Sequence, residues 1–189
     1  MVNGESAGAA DLIFELGTLK RAKRTGWWIA GVKDPESIAE HSFRTVIIGT
    51  MLAAMEGADP ARVALLCALH DTQETRVGDI PHIGRRYVQA TDNRAVTDDQ
   101  TASCPTPVAD VIRTAVAEYE EGSTHEAIVA RDADKLECLV QAVEYRHQGV
   151  TTVEPWIANS RAALKTDSAQ HLAEAVLAGQ PLRWLDDPR

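Results

Sequence analysis

The chain has 189 residues, 44% of them apolar and 25% charged, and a formal net charge of −9. That length suits one domain able to bury its own core, and the balance of residue types excludes a disordered chain. The acidic excess argues against general binding of nucleic-acid polymers or anionic membranes, so any phosphate handled here must meet a local basic patch or a metal.

Residues 1–9 are small and polar and are expected to fray. Met1 to Ala10 holds no basic segment followed by an apolar stretch, so no signal peptide is expected. Helical periodicity begins near Asp11, where Leu12, Leu16 and Leu19 form a stripe that leads into LKRAKRTGWW. Gly26 is expected to break that helix, and GVKDPES reads as a loop. Ser37 with Glu40 predicts a capping box for a helix that runs to Gly57. Asp59 and Pro60 predict the next start, and Val63, Leu65, Leu66 and Leu69 carry that helix into CALHDTQETRVGDIP, ended by Gly78 and Pro81. Residues 89–107 are rich in Thr and Asp and are expected to form a mobile loop. Helix returns at Val108 and stops at Gly122. Ser123 with Glu126 predicts a second capping box for a helix ended by Gly149, and a last amphipathic helix is expected over about 154–178. No strand alternation is present and no apolar run reaches membrane-spanning length. The expectation is an all-α, single-domain bundle of six or seven helices over 10–180, with a flexible start at 1–9 and a tail at 181–189. Cys67, Cys104 and Cys138 make an odd count with no CxxC spacing, which argues against disulfides and structural zinc and for a cytoplasmic setting.

The chemistry concentrates in three predicted helices. His41 lies on one, His70 and Asp71 on the next, and Asp134 on a later one. Facing helices of a bundle build metal sites in this way, and two imidazoles with two carboxylates suit a divalent first-row ion. Helical spacing puts Glu74 on the face of His70 and Asp71, where a carboxylate beside a metal can do acid–base work. Asp79, after Gly78, can be turned back toward the same place. Lys20, Arg21, Lys23 and Arg24 locally reverse the acidic balance, with Arg24 the candidate phosphate clamp and Trp27 either a stacking surface for a base or core packing. His82 is a minor substrate-contact candidate, while His125, His147 and His171 read as surface residues.

The blocks LKRAKRTGW, PESIAEHSFR, ALLCALHDTQETRVGDIP and DKLECLVQAVEY resemble the 5′-deoxynucleotidase branch of the HD-domain metal-dependent phosphohydrolases, over about residues 12–150. The resemblance implies a bundle of the HD-domain type. It implies one divalent ion, Co²⁺ or Mn²⁺ before Mg²⁺, Fe²⁺ or Zn²⁺, and hydrolysis of (deoxy)nucleoside 5′-monophosphates to nucleoside and phosphate. It also implies His41, His70, Asp71 and Asp134 as metal ligands, with Asp134 preferred to Asp132. Glu74 and Asp79 become the catalytic carboxylates, Arg24 and Trp27 the substrate contacts, and a homodimer the expected assembly. Competing readings are an HD-type phosphodiesterase or di-iron oxygenase, which usually needs more histidines, and a non-catalytic metal-binding helical module, for which Glu74 and Asp79 would have no use.

Overall fold

A computed structural model describes residues 4–88 and 92–185. Helix α1 (Gly4–Leu16) begins within the stretch expected to fray. The reason is a close approach: a Cβ on Gly8 would stand 1.8 Å from the Ser103 carbonyl oxygen, so glycine lets the helix lie against that backbone. The leucine stripe ends in a 3₁₀ turn at Gly17–Lys20, and Lys23 then pairs with Ser37 in an isolated antiparallel bridge. Gly26 starts a helix instead of breaking one, the single turn α2 (Gly26–Ile29).

The predicted capping box opens α3 (Ile38–Glu56), with Ser37 accepting from the Glu40 amide and the Glu40 carboxylate accepting from that of Ser37. Gly57 closes it in the left-handed region at φ 73°. Asp59 caps α4 (Pro60–Leu69), as its Asp-Pro start predicts. The expected continuation through Val77 is interrupted after Leu69. Thr72 Oγ1 donates to the Leu69 carbonyl, and Gln73 Nε2 donates to Thr72 and Thr97, so side chains compete with the helical ladder. A separate turn, α5 (Glu74–Val77), follows.

Most of the predicted loop at 89–107 is helix. Asp92 caps α6 (Asn93–Thr101), and α7 (Thr106–Glu121) starts soon after; residues 89–91 lie outside the described residues. The inward face of α6 is Val96, Thr97, Gln100 and Thr101, a mostly polar stripe satisfied by hydrogen bonds, so it carries no apolar periodicity. Thr124, not Ser123, caps α8 (His125–His147). The Glu126 carboxylate turns to the Asp59 amide instead of completing a box. The helix expected over 154–178 is two, α9 (Glu154–Ala163) and α10 (Asp167–Ala178). Asp132, buried on α8, accepts from the Lys165 and Thr166 amides and the Thr166 hydroxyl, and this holds the break open.

The described residues thus hold ten α-helices, two of them single turns, and no strand. Helix α8 runs through the middle and packs on α3, α4, α9 and α10. Leu52, Val63, Leu66, Val129, Leu136 and Leu139 fill the space between them. A Cβ on Gly49 would sit 2.6 Å from Cys67 Sγ and 3.4 Å from Ala133 Cβ, so this glycine sets how closely α3 meets α4 and α8. No helix among the described residues is long and apolar enough to cross a membrane. In the tail, Leu182, Trp184 and Leu185 are exposed; residues 186–189 lie outside the described residues.

Candidate metal centre and active site

The three helices bring the predicted ligand atoms to one point. His41 Nε2, on α3, lies 3.2 Å from Asp134 Oδ1 on α8 and 3.3 Å from His70 Nε2 at the end of α4. His70 Nε2 lies 3.1 Å from Asp71 Oδ2, and His41 Nε2 is 3.7 Å from the same oxygen. Atoms bound to one first-row ion at about 2.1 Å sit roughly 3.0–3.5 Å apart; three of these separations fall in that range, while His41 to Asp71 at 3.7 Å and His70 to Asp134 at 3.8 Å are slightly longer.

Hydrogen bonding on the far side of each ring supports a shared cation. His70 Nδ1 is 2.7 Å from the Cys67 carbonyl oxygen, which only accepts, so the proton is on Nδ1. His41 Nδ1 is 2.5 Å from the Glu137 carboxylate, which fixes the same tautomer. Two Nε2 lone pairs then face each other across 3.3 Å with two carboxylates beside them, an arrangement that calls for a positive charge. The surrounding carboxylates favour positive charge at this point, either a cation or a proton on the His41 ring. Burial and Arg24 push His41 down, but Glu137 and Asp134 outweigh them and raise it to about 10. Burial opposes ionisation of Asp71 and Asp134, yet His70 beside the first and Lys135 beside the second hold both well below the usual carboxylate range. Tyr119 covers the other face of His70, with ring centroids 5.3 Å apart.

A cleft of about 190 Å³ opens beside this cluster, lined by Arg24, Asp71, Glu74, Asp79, Asp134 and Trp156 among others. Arg24 donates to Asp71 at 3.3 Å, while Lys23 turns away to Asp34 and the Pro35 carbonyl, so Arg24 is the member of the basic segment that lines the cleft. Burial and the charges of Asp71 and Asp79 raise the Glu74 pKa to about 9, and its Oε2 is buried without a hydrogen-bond partner. Burial and these neighbouring charges favour the protonated form of Glu74. Asp79 is held differently. Its Oδ2 accepts from the Thr25 amide at 2.5 Å and the Thr25 hydroxyl at 3.0 Å, which ties it to the residue after Arg24.

Of the two readings of Trp27, its surroundings favour packing: it is 2% exposed, donates to Glu36, and packs its rings on Tyr145 and Trp156. Its lining position brings it to the cleft wall, but as part of the core. Glu74 does not share a continuous helix with His70 and Asp71; a tight turn brings it to the same cleft. Asp132 is spent on the α9–α10 junction, and Asp134 is the aspartate that reaches the histidines. His82 lines the cleft, whereas His125, His147 and His171 are exposed elsewhere. Sequence reasoning missed Glu137, Arg44, Lys135 and Tyr119. Glu137 had a readable signal, a carboxylate one turn after Asp134 on the same face of α8.

A family model described as an HD domain matches residues 16–176. Among curated relatives, 5′-deoxynucleotidase hdd1 of Schizosaccharomyces pombe is 34% identical over 139 residues, 70% of this chain and 70% of that protein. The 5′-deoxynucleotidase HDDC2 of Dictyostelium discoideum is 33% identical over 142 residues, 70% of this chain and 74% of that protein. The solved structure of protein PH0347 from Pyrococcus horikoshii superposes with a TM-score of 0.73 at 26% identity, over 89% of this chain and 96% of that one.

Proposed function

Because the chain belongs to the HD-domain family, we propose that it is a metal-dependent phosphomonoesterase that hydrolyses (deoxy)nucleoside 5′-monophosphates to nucleoside and phosphate. The observation that carries this reading is the convergence of two imidazole Nε2 atoms and two aspartates on a cleft that also holds a buried glutamate and an arginine. His41, His70, Asp71 and Asp134 would hold one divalent ion, with Mn²⁺ or Co²⁺ preferred. When bound, such an ion supplies Lewis acidity toward a phosphate oxygen and acidifies water near neutral pH.

The remaining work falls to the side chains. Arg24 stays charged, because Asp71, Asp134 and Asp79 outweigh the effect of its burial. Its guanidinium is suited to neutralise a phosphate oxygen in the cleft. Asp79 fixes the Arg24–Thr25 backbone and so aims that guanidinium. Glu74 donates its proton to the leaving 5′ oxygen as the P–O bond breaks, and recovers one from the attacking water. Asp79, already committed to Thr25, is the poorer proton carrier.

Phosphate release from a panel of ribo- and deoxynucleoside 5′-monophosphates, with added Mn²⁺ or Co²⁺, tests the reading. Release from 5′-monophosphates and loss of release with chelator are expected. Turnover of cyclic nucleotides alone, or none of any substrate, would sink it. A phosphodiesterase or di-iron oxygenase calls for more histidines, and His82 and His125 are both exposed. One bound ion per chain by elemental analysis is the expected count. The homodimer is part of the proposal, supported by exposed Leu182, Trp184 and Leu185, and sedimentation checks it.

A further inference from the structure

We propose that Glu137, clamped by Arg44, is a positioning residue that presents His41 Nε2 for metal binding. This rests on the metal site proposed above and adds the device that holds it. Glu137 and His41 are both fully buried, and Glu137 Oε2 stands 2.5 Å from His41 Nδ1. An imidazole that keeps one proton can offer the opposite nitrogen only if that proton stays put. A buried carboxylate against Nδ1 keeps it there and also fixes the plane of the ring.

The carboxylate is itself held. Its Oε1 accepts from Arg44 Nε at 2.9 Å, and Arg44 Nη2 lies 2.8 Å from the same oxygen. The other arginine donors are taken by Gln141 Oε1 at 2.6 Å and Glu144 Oε2 at 2.8 Å. The spacing explains why this works. His41 and Arg44 lie one turn apart on α3, while Glu137, Gln141 and Glu144 follow one another by a turn each along α8. The α3–α8 seam is therefore a polar ladder whose inner rung ends on the ligand ring. Arg44 with Gln141 and Glu144 would suffice to join the two helices. The second oxygen of Glu137 serves no helix contact; it goes to His41.

Arg44 also lines a separate cleft of about 530 Å³, together with Lys23, Phe43, Ile47, Gln141 and Tyr145. Arg44 does not line the cleft that holds Glu74, so replacing it leaves that lining intact. Arg44→Lys keeps the charge but cannot span Glu137, Gln141 and Glu144 at once.

The test is titration of the full-length metal-free protein with Co²⁺, followed by visible absorption, for wild type, Glu137→Gln, Arg44→Lys and His41→Ala. The glutamine is isosteric and keeps an acceptor, so circular dichroism should report an intact fold while the Co²⁺ dissociation constant rises about 10–100-fold. Arg44→Lys should weaken binding by less, with its Co²⁺ band shifted in the same direction. In the Zn²⁺-loaded wild type the His41 Nδ1 proton should resonate far downfield, and Glu137→Gln should move it back. Wild-type affinity and band shape in both Glu137→Gln and Arg44→Lys, with His41→Ala impaired, would overturn this proposal alone. Wild-type Co²⁺ binding in His41→Ala would remove the metal site and this proposal with it.

Discussion

Glu74 is a carboxyl group placed where ionisation is costly, between burial and the charges of Asp71 and Asp79. That cost suits the proposed role of a group that arrives carrying a proton. Glu74→Gln keeps the volume and removes the acid. We expect it to retain the metal, measured by elemental analysis, and to lose about 10²–10⁴-fold in phosphate release. Asp71→Ala should instead lose the ion. The placement of these residues was legible where side-chain type alone carries the meaning: an imidazole or carboxylate facing a bundle core needs a partner. Side-chain type left Trp27 open between stacking and packing, because its Nε1 bond to Glu36 and its contact with Tyr145 depend on parts of the chain that only the fold brings near.

Among the elements, local chemistry was legible and distant chemistry was not. Ser37 and Glu40, or Asp59 and Pro60, name their helix starts within four residues. The α9–α10 break has no such local sign, because the group that makes it is Asp132 on another helix. Asp132→Ala should cost about 2–4 kcal/mol in denaturant unfolding, since it strands buried amides, while leaving Co²⁺ affinity near wild type. The polar inward face of α6 hid that helix for a related reason. Gln100 on α6 donates to Glu15, which also accepts from Thr75 and Arg76, so α1, α5 and α6 meet at one carboxylate. The Arg76 hydrogen bond, against some desolvation, lowers the Glu15 pKa from 4.5 to about 2. Its contribution is complete above pH 4.5 and fades as pH falls toward 2. Glu15→Gln should therefore flatten the loss of thermal stability across that acid window, as a series of melts would show.

At the scale of the molecule, the all-α architecture was legible because length, caps and periodicity agree, while the count of helices was not, because the turns at residues 70–73 and 164–166 are held by bonds to distant residues, Gln73 to Thr97 and Thr166 to Asp132. A ligand that binds only the folded chain stabilises it. Mn²⁺ or Co²⁺ at 100 times its dissociation constant should add about 2.7 kcal/mol, or roughly 5–11 °C in Tm, and His41→Ala should abolish the gain. The same geometry has a consequence for a chain still being made. His41 finds His70 only 29 residues later, but its partner Glu137 lies 96 residues on. A ribosome that has released α3, α4 and the turn after it has delivered His41, His70 and Asp71, three of the four proposed ligands. On the proposed site, Asp134 and Glu137 join them only when α8 emerges, so a firmly held metal would mark a polypeptide whose synthesis has passed residue 137 and whose central helix has docked.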